Sequence, residues 1–270
     1  MKYILDNDLH IHTQLSTCSS DPLQNKYTIL EYAKEHGFKV ICLTDHMWDN
    51  KDVPAPNNWY KKQNFEWVKQ SLPVIEDDDV TMLFGCEAEI DKDLNLGITR
   101  DIIDQMDFVT VATSHLHHKG ATIKLDPTLE ERRKLWLDKF EMLMNQDLPF
   151  HKMGVAHFTN SLMAPDNFQD HLDIISGVDD NTYRRLFTKA AKLGLGIELN
   201  IAIEIYDDLQ KQLILRPYKI AKECGCKFYF GGDTHHPRDR EKIDKRFTEI
   251  RDLLDLQESD KFQLVIDKRK

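Results

Sequence analysis

The sequence predicts an α/β protein, a succession of βα units with a parallel sheet, on three observations. Short apolar runs alternate with longer stretches of helical periodicity from one end to the other. The chain has 270 residues, a length that (β/α) barrels routinely reach as one unit, so a single domain over residues 1–270 is expected. Each apolar run also ends in residues able to ligate a metal or hydrogen-bond, and in a parallel barrel such ends converge on one face.

The first run is YIL at 3–5, continuing to Leu9. FKVICL (38–43), VTMLFG (80–85), FVTVAT (108–113), KMGVAH (152–157), LGIELN (195–200) and CKFYFGG (226–232) complete seven expected strands. Between the first two lies TILEYAKEHG, where Thr28 and Glu31 form a capping box and Gly37 suits a left-handed end. Apolar residues at three- and four-residue spacing predict further helices over 59–70, 129–145, 182–192, 217–223 and 247–256. The polar segments 117–127 and 159–178 read as long loops and candidates for a substrate-facing rim.

The strand ends carry the chemistry. In chain order they offer His10 and His12, Asp45 and His46, Glu87 and Glu89, His115, His157, Glu198 and Asn200, then Asp233 and His235. Side chains two apart on a strand share a face, so His10 with His12, and Asp233 with His235, can each point at one centre. Imidazole and carboxylate are the ligands of zinc, manganese and iron, and this set exceeds what one tetrahedral ion uses. More than one metal ion is expected, with Glu87 as the bridging carboxylate. Asp8 and Asp45 read as groups that orient imidazoles from behind, Asp45 alternatively as a turn residue. Glu89 shares a face with Glu87 only if its strand continues that far, and is left unassigned. His36, His151 and His171, each alone, read as hydrogen-bonded or exposed.

Composition narrows the partners. With 41% hydrophobic and 30% charged residues the chain can bury a sizeable core. A net charge of −10 without a dense basic cluster argues against nucleic acid, while leaving room for a small anion at a local cationic site. The five cysteines form an odd set without framework spacing, so disulfides are not implied. Cys224 and Cys226 read as a helix end and a strand start around Gly225, and the EDDD run at 76–79 as a solvated loop. The N-terminus turns polar after three apolar residues and no run approaches the ~20 needed to span a membrane, so a cytoplasmic protein without a membrane partner is expected.

DLHIHT, LTDH, the glutamate of GCEAEI, SH at 114–115, AH at 156–157 and GGDTHHP, in this order from Asp8 to Pro237, resemble the successive motifs of the PHP (polymerase and histidinol phosphatase) family. The resemblance implies a distorted seven-stranded (β/α)7 barrel, TIM-barrel-like, that holds two or three divalent ions and hydrolyses phosphate esters. Carried over by position, His10, His12, Glu87 and Asp233 would hold one ion, Glu87, His115 and His157 a second, and His46 and His235 a third. Cys18 stands where the phosphatase branch often has a histidine; it either completes the third position with a softer ligand or is an inert loop residue.

The chain looks closest to the free-standing histidinol-phosphatase type, without replication-type extensions. The expected reaction is hydrolysis of a small phosphate monoester, histidinol phosphate foremost, by a metal-activated hydroxide with no protein nucleophile. Arg216 and Arg238, and more weakly Lys119 and His118, are the candidates for contacting the phosphate, each alternatively a surface residue. A metal-dependent amidohydrolase or phosphodiesterase on the same barrel, or a non-catalytic metal-binding protein, are the alternatives.

Overall fold

The computed structural model describes residues 1–266. Among them seven parallel strands follow one another round a nearly closed barrel: β1 (Asn7–Ile11), β2 (Val40–Leu43), β3 (Thr81–Glu89), β4 (Phe108–Ala112), β5 (Met153–Ala156), β6 (Gly196–Leu199) and β7 (Lys227–Phe230). A two-residue pair, His46–Met47, runs on beyond β2 and bonds to Glu87 and Ala88 of β3. No full ladder joins β7 to β1. The backbone beyond β7 leans onto β1 instead, with Asp233 N–H donating to the His10 carbonyl (2.7 Å) and His12 N–H to that of Thr234 (3.2 Å). This closure is the distortion the sequence resemblance implies.

Helices cover the outside, so β1, β4, β5 and β6 are buried along their whole length. They are α1 (Lys26–Glu35), α2 (Asn58–Lys61), α3 (Phe65–Val68), α4 (Arg100–Asp104), α5 (Leu129–Leu143), α6 (Phe168–Ser176), α7 (Asp180–Leu193), α8 (Asp208–Glu223) and, after β7, α9 (Ile243–Leu253). The main core, with Trp136, Phe140 and Phe158 fully buried, lies between strands and helices. A second cluster of Leu9, Cys42, Leu83, Phe108, Tyr229 and Phe262 joins residues of β1, β2, β3, β4 and β7 to the C-terminal segment.

Several boundaries differ from the sequence reading. β1 starts at Asn7 rather than Tyr3, because Tyr3 is anchored elsewhere: its N–H bonds to the Leu256 carbonyl and its ring packs on Phe247. β3 runs four residues further than its apolar stretch and ends at Glu89, polar residues continuing the ladder with β4. Asn25, not Thr28, caps α1, its side chain accepting from the N–H groups of Tyr27 and Thr28; Gly37 does take the left-handed conformation (φ 70°). The single helix expected over 59–70 breaks into α2 and α3 because Asn57 and Asn64 each cap a new start. α6 occupies what reads as loop, and α8 begins nine residues before Pro217, which sits inside it.

Candidate metal centre

The barrel's strand-end face gathers all nine ligand-type residues. His10, in β1, and His12, just past it, bring their Nε2 atoms to 3.2 Å. Asp233 Oδ1 lies 3.0 Å from His12 Nε2 and 3.6 Å from His10 Nε2. Glu87 faces two ways: Oε2 is 3.5 Å from both of those imidazoles, while Oε1 is 2.9 Å from His157 Nε2 and 3.9 Å from His115 Nε2. A third group joins His12, Cys18, His46 and His235, with one donor atom from each within 4.8 Å of the others.

The chemistry of these donors fits divalent cations. Glu87 Oε2, Glu89 Oε2 and His46 Nδ1 are buried without a hydrogen-bond partner, and although His46 Nδ1 is 2.9 Å from Glu87 Oε2, the two are not aligned for a hydrogen bond. Buried carboxylate oxygens left this way are costly, and a cation would satisfy them.

What lies behind the imidazoles matters as much. His10 Nδ1 donates to Glu198 Oε1 (2.7 Å), His115 Nδ1 to Glu89 Oε1 (2.8 Å), His157 Nδ1 to Ser114 Oγ (2.8 Å), and His235 Nδ1 to the Asp233 carbonyl (2.9 Å). His12 Nδ1 donates to Ser16 Oγ (2.9 Å), which donates in turn to Asp45 Oδ1 (2.6 Å). A proton fixed on Nδ1 leaves the Nε2 lone pair for a ligand role. Asp45 therefore acts on His12 through Ser16. Asp8 does not orient an imidazole: it accepts from the backbone N–H groups of His10 (3.2 Å) and Gly232 (2.8 Å) and from the Tyr32 hydroxyl (2.9 Å), pinning the seam between β1 and β7. Glu89, Glu198, Ser16 and Ser114 are the contributors that sequence reasoning left without a role.

Local backbone shape serves this geometry. The register between β1 and β2 slips between Asp8 and Ile11, a bulge that lets Leu9 join the second apolar cluster while His10 reaches the centre. His157 and Asp233 hold left-handed φ of 27° and 48°, rare for such residues and found where a side chain must be aimed. Gly231 is required for contact reasons, since a Cβ there would collide with Glu198 Oε1 and His10 Cβ.

Burial opposes the charge of His10, but Glu198, Asp233 and Glu87 overcome it and raise its pKa well above the usual value. Burial likewise works against ionised Glu87 and Glu89; His46, His10 and His115 hold Glu87 well below the carboxylate range, and His115 and His46 bring Glu89 down to about 2. Burial, then the neighbouring His235 and His46, push His12 down, so it stays neutral. Burial also opposes ionisation of Cys18, yet His235 and His46 pull its thiol below the ordinary range. Acids and imidazoles thus oppose one another's charge in this centre, and a cation bound there would compete with protons for the same lone pairs.

A cavity of about 130 Å³ opens over these residues, its remaining wall made by Trp59, His117, His118 and Leu162. Of the four residues expected to contact phosphate, only His118 lines it, packed 5.0 Å from Trp59 and 5.2 Å from Tyr60, ring centre to ring centre. Lys119 turns to Asp166 (3.6 Å). Arg238, its side chain 77% exposed, lines an adjoining hollow that shares Asp233. Arg216 is directed elsewhere: on α8, its Nε donates to Asp180 Oδ1 (2.9 Å) and its guanidinium lies 5.3 Å above the Tyr183 ring. Among the described residues no lysine or arginine lines the cavity itself. His36 and His171 are paired with Asp244 and Tyr206, as isolated histidines were expected to be.

A family model described as PHP domain matches residues 8–200. Over 85 residues the chain is 35% identical to a probable phosphatase of Proteus mirabilis (strain HI4320), a stretch covering 31% of this chain and 29% of that protein. The crystal structure of histidinol phosphate phosphatase from Lactococcus lactis subsp. lactis Il1403, complexed with zinc, L-histidinol and phosphate, superposes over 97% of this chain and 99% of its own, with a TM-score of 0.57 and 16% sequence identity, a likeness of fold.

Proposed function

The chain belongs to the PHP domain family, and from that membership we propose that it is a metal-dependent phosphoric monoester hydrolase acting on a small phosphorylated metabolite. The observation that carries this reading is Glu87, buried between two sets of ligand-type atoms with one oxygen directed at each. His10, His12, Glu87 and Asp233 would hold one ion, Glu87, His115 and His157 a second, and His46, His235 and Cys18 a third, zinc, manganese and iron all suiting these donors. Bound there, such ions supply Lewis acidity: they neutralise phosphoryl oxygens, lower the pKa of water and stabilise a leaving alkoxide.

The protein's own share is positioning. Glu198, Glu89, Ser114 and the Ser16–Asp45 pair fix the imidazoles, while Trp59, His117, His118 and Leu162 narrow the entrance. Burial and the neighbouring His115 depress His117 to about 3, and burial lowers His118 as well, so both rings are neutral at neutral pH and can hydrogen-bond a substrate. The small cavity favours compact substrates, and histidinol phosphate leads the candidates. Arg238, in the adjoining hollow, is retained as a contact for the part of the substrate that extends past Asp233.

The test is a panel of phosphate monoesters including histidinol phosphate, one phosphodiester and one amide, assayed with zinc and with manganese. Turnover confined to monoesters is expected. Turnover of the amide alone, or none with metal bound, would overturn the proposal.

A further inference from the structure

Resting on the reading that the cluster holds divalent ions, we propose that its outermost position is selected by sulfur: Cys18, with His46 and His235, takes a thiophilic ion in preference to manganese, a discrimination the two inner positions lack.

The donors differ by depth. The inner sets, His10 with His12 and Asp233, and Glu87 with His115 and His157, offer nitrogen and oxygen only, whereas the outer set includes a thiol. Although His12 lies within reach of the outer set, its Nε2 is 3.0 Å from Asp233 Oδ1 and its Nδ1 is bonded to Ser16, so its single lone pair belongs to the inner position. That leaves Cys18, His235 and His46, the last also grouped with Glu87 and Glu89, its Nδ1 2.9 Å from Glu87 Oε2. Three protein ligands with a free place is the arrangement of zinc sites that also bind a reactant.

Cys18 is placed, not incidental. The residue before it donates its N–H to Gln63 Oε1 (2.9 Å), and Ser19 after it donates its hydroxyl to the His235 carbonyl (2.7 Å), tying the thiol's loop to the segment that carries another ligand. Ser19 N–H also closes a turn onto the Ser16 carbonyl (2.9 Å). His46 is held by the edge of Trp59, ring centres 4.9 Å apart. None of the other four cysteines belongs to a ligand group among the described residues. Thiolate binds zinc, iron and cobalt far better than it binds manganese, which prefers oxygen. Binding breaks the S–H bond and forms a sulfur–metal bond; the proton goes to solvent and no electron is transferred.

The test is spectroscopic and independent of turnover. The full chain, stripped by chelator, is titrated with Co²⁺ while the near-ultraviolet sulfur-to-cobalt charge-transfer band and the visible ligand-field bands are followed. The wild type should show both, zinc should abolish the charge-transfer band, and equimolar manganese should leave it. Cys18→Ser should lose that band and keep the ligand-field bands of the inner positions; Cys18→His should regain the third ion without the band. Cobalt bound with no charge-transfer band, the same band in Cys18→Ser, or manganese displacing it as readily as zinc, would each overturn the assignment to Cys18 while leaving the metal-dependent reading standing. No cobalt spectrum at all would bring down that reading and this inference together.

Discussion

Both carboxylate oxygens of Glu198 are engaged by ligand-type residues, Oε1 by His10 Nδ1 and Oε2 by the backbone N–H of His157. Glu198→Gln keeps the volume that Gly231 makes room for but puts an amide N–H where an acceptor is needed. Zinc affinity measured by calorimetric titration of the stripped protein should fall by about 10–100-fold, the usual cost of losing a partner behind a ligand. Unchanged affinity would show that His10 needs no such support. The ligand-type residues other than Cys18 were legible because each stands at or just beyond an apolar run, a purely local pattern, while Cys18 was named only through the family resemblance. Their supports, Asp45 apart, were not legible. Glu198 meets His10 across 188 residues of sequence, and Ser16 and Ser114 resemble any loop serine until the fold brings an imidazole to them. Glu89 was hidden more simply, since a strand that continues through glutamates has no hydrophobic signal to follow.

Among the elements, α5 acts as the prop of the β4 loop. Its Arg132 donates to the carbonyls of Leu116 (3.1 Å) and Met163 (2.8 Å), and its fully buried Lys139 to those of His115 (3.2 Å) and Thr122 (3.0 Å). Burial lowers the Lys139 pKa to about 7, against 10.5 for an ordinary lysine. Between these values the unfolded chain binds a proton that the native state does not, so this group's contribution raises stability as pH climbs from about 7 to 10.5. Denaturation midpoints across that window should rise less steeply in Lys139→Met than in the wild type; parallel profiles would mean that the lysine stays charged in the fold. α5 was readable from its periodicity, and the structure adds Thr128, which caps it in a box with Glu131. α8 was misread because a proline inside a helix looks like its first residue, and that error put Arg216 near the phosphate rather than on the helix layer. α6 and the break between α2 and α3 depend on asparagine caps set among polar residues, where periodicity is faint.

For the molecule as a whole, the centre concentrates the buried Glu87 and Glu89 beside the partly exposed Asp233, and cations should therefore stabilise the fold. An ion present at a hundred times its Kd contributes about 2.7 kcal/mol, which for a chain of this length corresponds to about 5–10 °C in melting temperature. Thermal melts with and without chelator should differ by this order for each ion lost, and zinc should restore the higher value; identical melts would deny the ions a structural share. The barrel class followed from alternation and strand ends, but not the closing seam, whose hydrogen bonds join residues near the two ends of the sequence. That seam bears on how the protein is made. His10 leaves the ribosome early and Asp233 late, so a nascent chain has no complete first position until β7 has been synthesised and has swung against β1. On the proposed reading the first position can take an ion only once Asp233 has been made, and a product of premature termination before it would lack that position however much of the barrel it had formed.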